Sequence, residues 1–240
     1  MKKIHLVKKD YIYLSVIAVL LVVSVALGAV LAFQKNKEKS TYSYYDMKCD
    51  AFKADNINAS HDQIVFIGDS ITDGYRLDDY YGELSPATYN RGIGGDTTDG
   101  VLRRLDVSLF DINPSKIVLM IGTNDISGGR SNDEILNNYR EILSKIKERL
   151  PETEVYCMSI IPQNSLFVSD PAALEKRTEI IIEVNSEIKE LSENMGYQYV
   201  NIFDGLSENN ILKNEYTEDG LHLNHKGYIV WTEILKPLLA

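Results

Sequence analysis

The sequence predicts an α/β domain built on a central parallel sheet of about five strands, preceded by one N-terminal transmembrane helix. Three observations carry this expectation. From residue 63 onward, short apolar runs alternate with longer stretches of helical spacing, which implies right-handed crossovers and helices on both faces of a parallel sheet. The first run, Ile64-Val65-Phe66-Ile67, is continuously apolar and β-branched, as a strand buried on both faces requires. Tyr11 to Phe33 is 23 residues without a charge, and a spanning helix needs roughly 20.

Residues 1–10 hold Lys2, Lys3, Lys8 and Lys9 and are expected on the cytoplasmic side. Residues 11–33 form the expected anchor, with Tyr11, Tyr13 and Phe33 at its interfaces; Lys35, Lys37 and Lys39 beyond it weaken the charge bias. The competing reading is a signal peptide cleaved near Val30-Leu31-Ala32, but the apolar stretch exceeds the usual 7–15 residues or so. Either reading exports the domain, as a membrane-anchored or a secreted protein. Residues 34–62 are polar and aperiodic and read as a tether with some order near Phe52; the domain is taken as 63–240.

Within it, strands are expected at 64–67, 88–93, 116–122, 154–161 and 196–202. Helical spacing marks Asp99 to Phe110, Asn132 to Leu150, Pro171 to Met195 and His225 to Leu239. Ligands of such sheets bind beyond the carboxyl ends of the strands.

Charge narrows the function classes. The chain carries a net −10, while residues 1–40 carry +5, leaving −15 on the remainder. So acidic a domain excludes nucleic acid as a partner, because phosphates demand a basic face. Cys49 and Cys157 are too few for a disulfide framework and lack the neighbours of a metal site, so both read as free thiols. No metal or organic cofactor is expected.

Four polar loops fall at one edge of the expected sheet: Asp69-Ser70, Gly92-Ile93-Gly94-Gly95-Asp96, Gly122-Thr123-Asn124-Asp125 and Asp219-Gly220-Leu221-His222. A serine nucleophile needs a base, which a neutral His222 supplies, and the base needs an orienting carboxylate, which Asp219 offers from three residues away. An oxyanion needs convergent donors. The Ser70 N–H, the Gly95 N–H and the Asn124 side-chain amide are candidates. Each residue alone has a plainer reading: Ser70 as a helix cap, His222 as a cap or core histidine, Gly94-Gly95 as a turn, Asn124 as an Asx turn. His225 is a nearby rival base but suits the exposed start of the last helix.

Gly68-Asp69-Ser70, the Gly95-Asp96 loop, Gly122-Thr123-Asn124-Asp125 and Asp219-x-x-His222, in that order, resemble the four blocks of the SGNH (GDSL-type) hydrolase family over about residues 63–240. The resemblance implies a flavodoxin-like three-layer sandwich and ester hydrolysis through an acyl-enzyme. By position it makes Ser70 the nucleophile, Asp219 and His222 the rest of the triad, and Ser70, Gly95 and Asn124 the oxyanion donors. The Gly-x-Ser-x-Gly elbow of α/β-hydrolases is absent. The expected substrate is a small or polymer-borne acyl ester, such as a glycan O-acetyl group or a lipid ester. Acyl transfer to a sugar and a non-catalytic glycan-binding module are the alternatives. Tyr75, Arg76, Tyr80, Tyr81 and residues 165–169 are expected to wall the pocket.

Overall fold

The structure, a computed structural model, describes Leu20, Val23, Ser24, Gly28 and residues 43–240. Most of the expected anchor at 11–33, and the first part of the tether, lie outside the described residues. Among the described residues no helix is long and apolar enough to cross a membrane.

Five strands pair in parallel: β1 (Ile64–Gly68), β2 (Thr88–Gly92), β3 (Lys116–Met120), β4 (Glu154–Met158) and β5 (Gln198–Val200), in the order β2-β1-β3-β4-β5. Ile64 is in register with Thr88 on one side and with Lys116 on the other. The chain runs outward from β1 to β2 and then crosses back to β3, so the order reverses between β1 and β3. Crevices at such reversals are where open α/β sheets bind ligands.

Alternation along the strands builds two cores. Val65, Ile67, Ile117, Leu119, Val155 and Cys157 face one layer, made of α4 (Thr98–Arg103), α6 (Asn132–Arg149) and α7 (Pro171–Asn194). Ile64, Phe66, Val118, Met120, Tyr156 and Met158 face the other, where α3 (Leu77–Tyr81), Leu206 of the short α8 (Phe203–Leu206) and α9 (His225–Leu239) lie. This is the three-layer arrangement the alternating pattern predicts. Helix starts are set by local chemistry. Ser131 and Glu134 form a capping box at α6, Asp170 precedes Pro171 at α7, and Asn224 caps α9; each such cap stabilises by about 1 kcal/mol.

Three departures from the sequence reading have physical causes. The tether contains α1 (Tyr44–Asn56), whose Cys49 and Phe52 pack on Ile93 and Val107, and residues 44–240 form one compact unit. Its two burying positions are too few to show helical periodicity in the sequence. The expected helix from Asp99 to Phe110 divides into α4 and a π-helical turn, Asp106–Phe110. Arg104, between them, leaves helical geometry (φ −118°, ψ 15°) as its side chain turns inward. Finally, the Tyr75 and Tyr81 rings belong to the core and do not flank Ser70 as expected. Both are buried among Phe66, Tyr228 and Trp231, with the Tyr75 ring stacked on Tyr228 at 4.5 Å.

Candidate active site

β1 ends at Gly68 and runs directly into α2 (Ser70–Asp73). Asp69 caps that turn, its Oδ1 accepting the Ile71 N–H at 3.0 Å, and Ser70 is the first helical residue. Its N–H therefore belongs to the group of helix-start donors that have no intrahelical partner. Burial pushes the Asp69 carboxyl up to about 7, and the bond from Ile71 only partly offsets this.

Ser70 Oγ stands 2.9 Å from His222 Nε2, and His222 Nδ1 stands 2.6 Å from Asp219 Oδ2. The other Asp219 oxygen accepts the backbone N–H groups of Leu221 (2.9 Å) and His222 (2.8 Å). Partial burial pushes the Asp219 carboxyl upward, but the bonds from the His222 ring and these two amides outweigh it and bring the carboxyl down to about 2. A carboxylate there can only accept, so His222 donates from Nδ1. In neutral imidazole that leaves the Nε2 lone pair for the Ser70 O–H. Thr217 braces the turn by accepting the Gly220 N–H at 2.9 Å. Gly220 itself has φ +84°, and any Cβ there would meet Asn164 and the backbone of Phe167.

The loop after β2 lies beside Ser70: a Cβ placed on Gly94 would stand 4.0 Å from Ser70 Cβ. The Gly94 N–H is taken by Asp73 Oδ2 at 3.0 Å. The Gly95 N–H has no hydrogen-bond partner among the described residues, and its φ of +78° favours glycine. Asn124, on α5 (Thr123–Ser127) after β3, donates one amide hydrogen to the Asp96 carbonyl at 2.8 Å, which fixes its side chain and leaves a second hydrogen. All five residues singled out in the sequence, Ser70, Gly95, Asn124, Asp219 and His222, thus sit at the carboxyl edge of the sheet, on loops or on the first turns of the helices that follow the strands. His225 does not join them; its Nδ1 bonds the Tyr80 hydroxyl at 2.7 Å.

The arrangement can perform nucleophilic acyl chemistry: a hydroxyl in line with a base, the base in line with a carboxylate, and N–H donors next to the hydroxyl. A GDSL-like lipase/acylhydrolase family model matches residues 66–230. The chain belongs to the GDSL-like lipase/acylhydrolase family. The family match runs from β1 into α9. A Streptococcus pneumonia protein solved under the name of a platelet activating factor is 34% identical, with TM-score 0.76 over 88% of this chain and 99% of that one. The bovine platelet-activating factor acetylhydrolase IB subunit alpha1 is 34% identical over 104 residues; the match spans 42% of this chain and 44% of that subunit, less than half its length. The Geobacillus stearothermophilus acetylxylan esterase Axe2 shares the fold, at 19% identity and TM-score 0.60 over 76% of this chain and 95% of that one.

Around this site the structure adds groups that sequence reading missed. Arg104, buried, donates to Asp96 Oδ2 (2.7 Å), to the Arg91 carbonyl (2.7 Å), to the Gly68 carbonyl (3.0 Å) and to Ser108 Oγ (2.9 Å). It thus ties the end of β1 to the glycine loop. Burial nevertheless keeps the Asp96 carboxyl above its ordinary value, against the pull of the guanidinium. The available signal was a pair of arginines, Arg103-Arg104, set between the apolar Leu102 and Leu105. Of the expected pocket walls, Leu166 and Phe167 lie against Gly220 and stay exposed (59% and 40%) beside the Asp219–His222 turn.

Proposed function

We propose that this hydrolase cleaves a short-chain O-acyl ester, acetyl above all, through an acyl-enzyme on Ser70. The observation that carries the reading is the unbroken line Ser70 Oγ–His222 Nε2, His222 Nδ1–Asp219 Oδ2 at 2.9 and 2.6 Å. His222 takes the Ser70 proton as Oγ attacks the acyl carbonyl. The oxyanion is received by the N–H groups of Ser70 and Gly95 and by the Asn124 amide. The tetrahedral intermediate collapses as His222 returns the proton to the leaving alkoxide. Water, deprotonated by the same nitrogen, then releases the acid and restores Ser70. The acetylhydrolase name of the bovine relative supports a small acyl group.

A lipid ester is the second reading, supported by Leu166 and Phe167, exposed beside the triad turn. We further propose that residues 11–33 hold the domain on the outer face of a membrane, on the strength of their uncharged length and the lysines before them.

The test is a p-nitrophenyl ester series from acetate to palmitate, on the full chain and on Ser70→Ala. Ser70-dependent turnover confined to short chains is the expected result. A preference for long chains moves the assignment to the lipid ester. Turnover that survives in Ser70→Ala ends the mechanism.

A further inference from the structure

Asp73 lies three residues after Ser70, at the end of the same helical turn, and its carboxylate holds three donors. Oδ2 accepts the Tyr44 hydroxyl at 2.6 Å and the Gly94 N–H at 3.0 Å; Oδ1 pairs with Lys48 Nζ at 2.7 Å. Side chains of Lys48 and Asp73 are only 22% and 18% exposed, so water screens this pair less than an open surface pair. The hydrogen bond to Asp73 raises the Tyr44 hydroxyl to about 12, which keeps it a donor. The ring sits at the same place: a Cβ on Gly94 would be 3.4 Å from Tyr44 Cε1 and 4.0 Å from Ser70 Cβ.

Tyr44 and Lys48 both come from α1, and α1 is firmly seated. Tyr45 donates to the Gly100 carbonyl at 2.8 Å, and Asn56 donates to the Val107 carbonyl at 2.7 Å. The buried Arg91 donates to Asn56 at 2.8 Å and stacks over Phe52, 4.7 Å from the ring centre. The glycine loop is therefore gripped from two sides. Arg104 and Asn124 hold Asp96 after the turn, and Asp73 holds Gly94 before it. The peptide between these two anchors carries the Gly95 N–H.

We propose that Asp73, clamped by Tyr44 and Lys48 of α1, is a positioning residue that aims the Gly95 N–H at the oxyanion, so that α1 is part of the catalytic apparatus. This rests on the reading of Gly95 as an oxyanion donor. Asp73 touches no reacting atom. It acts by fixing the Gly94 peptide, and an amide oxygen can do the same.

Steady-state hydrolysis of p-nitrophenyl acetate by the full chain tests this, with thermal midpoints in parallel. Asp73→Ala should lower kcat by about 10–10²-fold, the scale of a misplaced donor, with KM within about twofold. Asp73→Asn keeps an acceptor for Gly94 and should restore most of the loss. The double variant Tyr44→Phe/Lys48→Met should fall between them. Phosphonylation of Ser70 by a fluorophosphonate should slow in the same order, because the phosphonyl oxygen uses the same donor. An active wild type with Asp73→Ala equally active overturns the clamp. So does an Asp73→Asn no better than Asp73→Ala. Should Asp73→Ala fail to fold, the double variant decides, and wild-type kcat there overturns the proposal. A wild type with no Ser70-dependent turnover instead removes the esterase reading, and the clamp falls with its premise.

Discussion

Asp219 and His222 are joined twice within one tight turn: Oδ2 of the carboxylate lies 2.6 Å from the ring Nδ1, and Oδ1 accepts the backbone N–H of the same histidine at 2.8 Å. One side chain thus sets both the position of the histidine backbone and the tautomer of its ring. Asp219→Asn keeps the size of the side chain but offers its amide hydrogens where the ring needs an acceptor. We expect kcat on p-nitrophenyl acetate to fall by on the order of 10³–10⁴, with a circular-dichroism spectrum like that of the wild type. Full activity in Asp219→Asn would exclude this carboxylate from the triad.

That carboxylate also has a pH signature. Held near 2 in the folded chain, against about 3.9 when unfolded, it contributes stability that is present above roughly pH 4 and is lost as pH falls toward 2. Denaturation from pH 6 to pH 2 should show a shallower acid loss in Asp219→Asn than in the wild type. The half-exposed side chain keeps the difference small.

Asn124→Ala removes the proposed oxyanion donor and the strut to the Asp96 carbonyl. A loss of about 10²–10³ in kcat is expected, with KM nearly unchanged. A rise in KM at constant kcat would show instead that the amide holds ground-state substrate.

Arg104→Leu should be far more damaging to stability than to binding. It leaves Asp96 and two backbone carbonyls without their shared donor in a buried site, and breaking a buried pair from one side costs about 3–5 kcal/mol. Asp96 already titrates above its ordinary value because of burial, and without Arg104 it titrates higher still. The deficit measured by urea unfolding should therefore shrink as pH falls, because protonation of Asp96 removes the unpaired buried charge.

Asp69 titrates in the opposite sense to Asp219. Burial raises its folded value to about 7, so the stability it contributes is complete below roughly pH 4 and declines as pH rises through 7. Asp69→Asn retains an acceptor for the Ile71 N–H but cannot ionise. Its thermal midpoint should match the wild type at pH 4 and exceed it at pH 8. Equal midpoints at both values would show that Asp69 is neutral, or well solvated, across the range.

What the sequence made legible follows from which interactions are local. Strand and helix periodicity, and the placing of Ser70, Gly95, Asn124 and His222 after successive elements, need only short-range pattern plus the rule that parallel strands present their carboxyl ends together. Asp219 and His222 were legible as a pair because a single turn joins them. The Asp73 clamp was not, because Tyr44 and Lys48 reach it from 29 and 25 residues upstream, across a stretch whose composition reads as linker. Arg104 bonds as far back as Gly68, and nothing in its neighbourhood announces that. Tyr75 and Tyr81 misled for the converse reason. They follow Ser70 closely in sequence, but the chain from Tyr75 through α3 packs them into the core, where aromatic packing holds them.

Trp231 gives that packing a use at the bench. It is the chain's single tryptophan, fully buried, with its ring centre 4.8 Å from that of Tyr75. One helical turn before it, the Tyr228 hydroxyl donates to the Ile71 carbonyl at 2.7 Å, within the turn that carries Ser70. Every photon of indole emission therefore originates from one site, in a side chain packed one contact away from the helix that carries Ser70. Its emission is a built-in optical gauge of that helix's environment, readable without a label, and α9 cannot peel away from the sheet without changing the colour of the light.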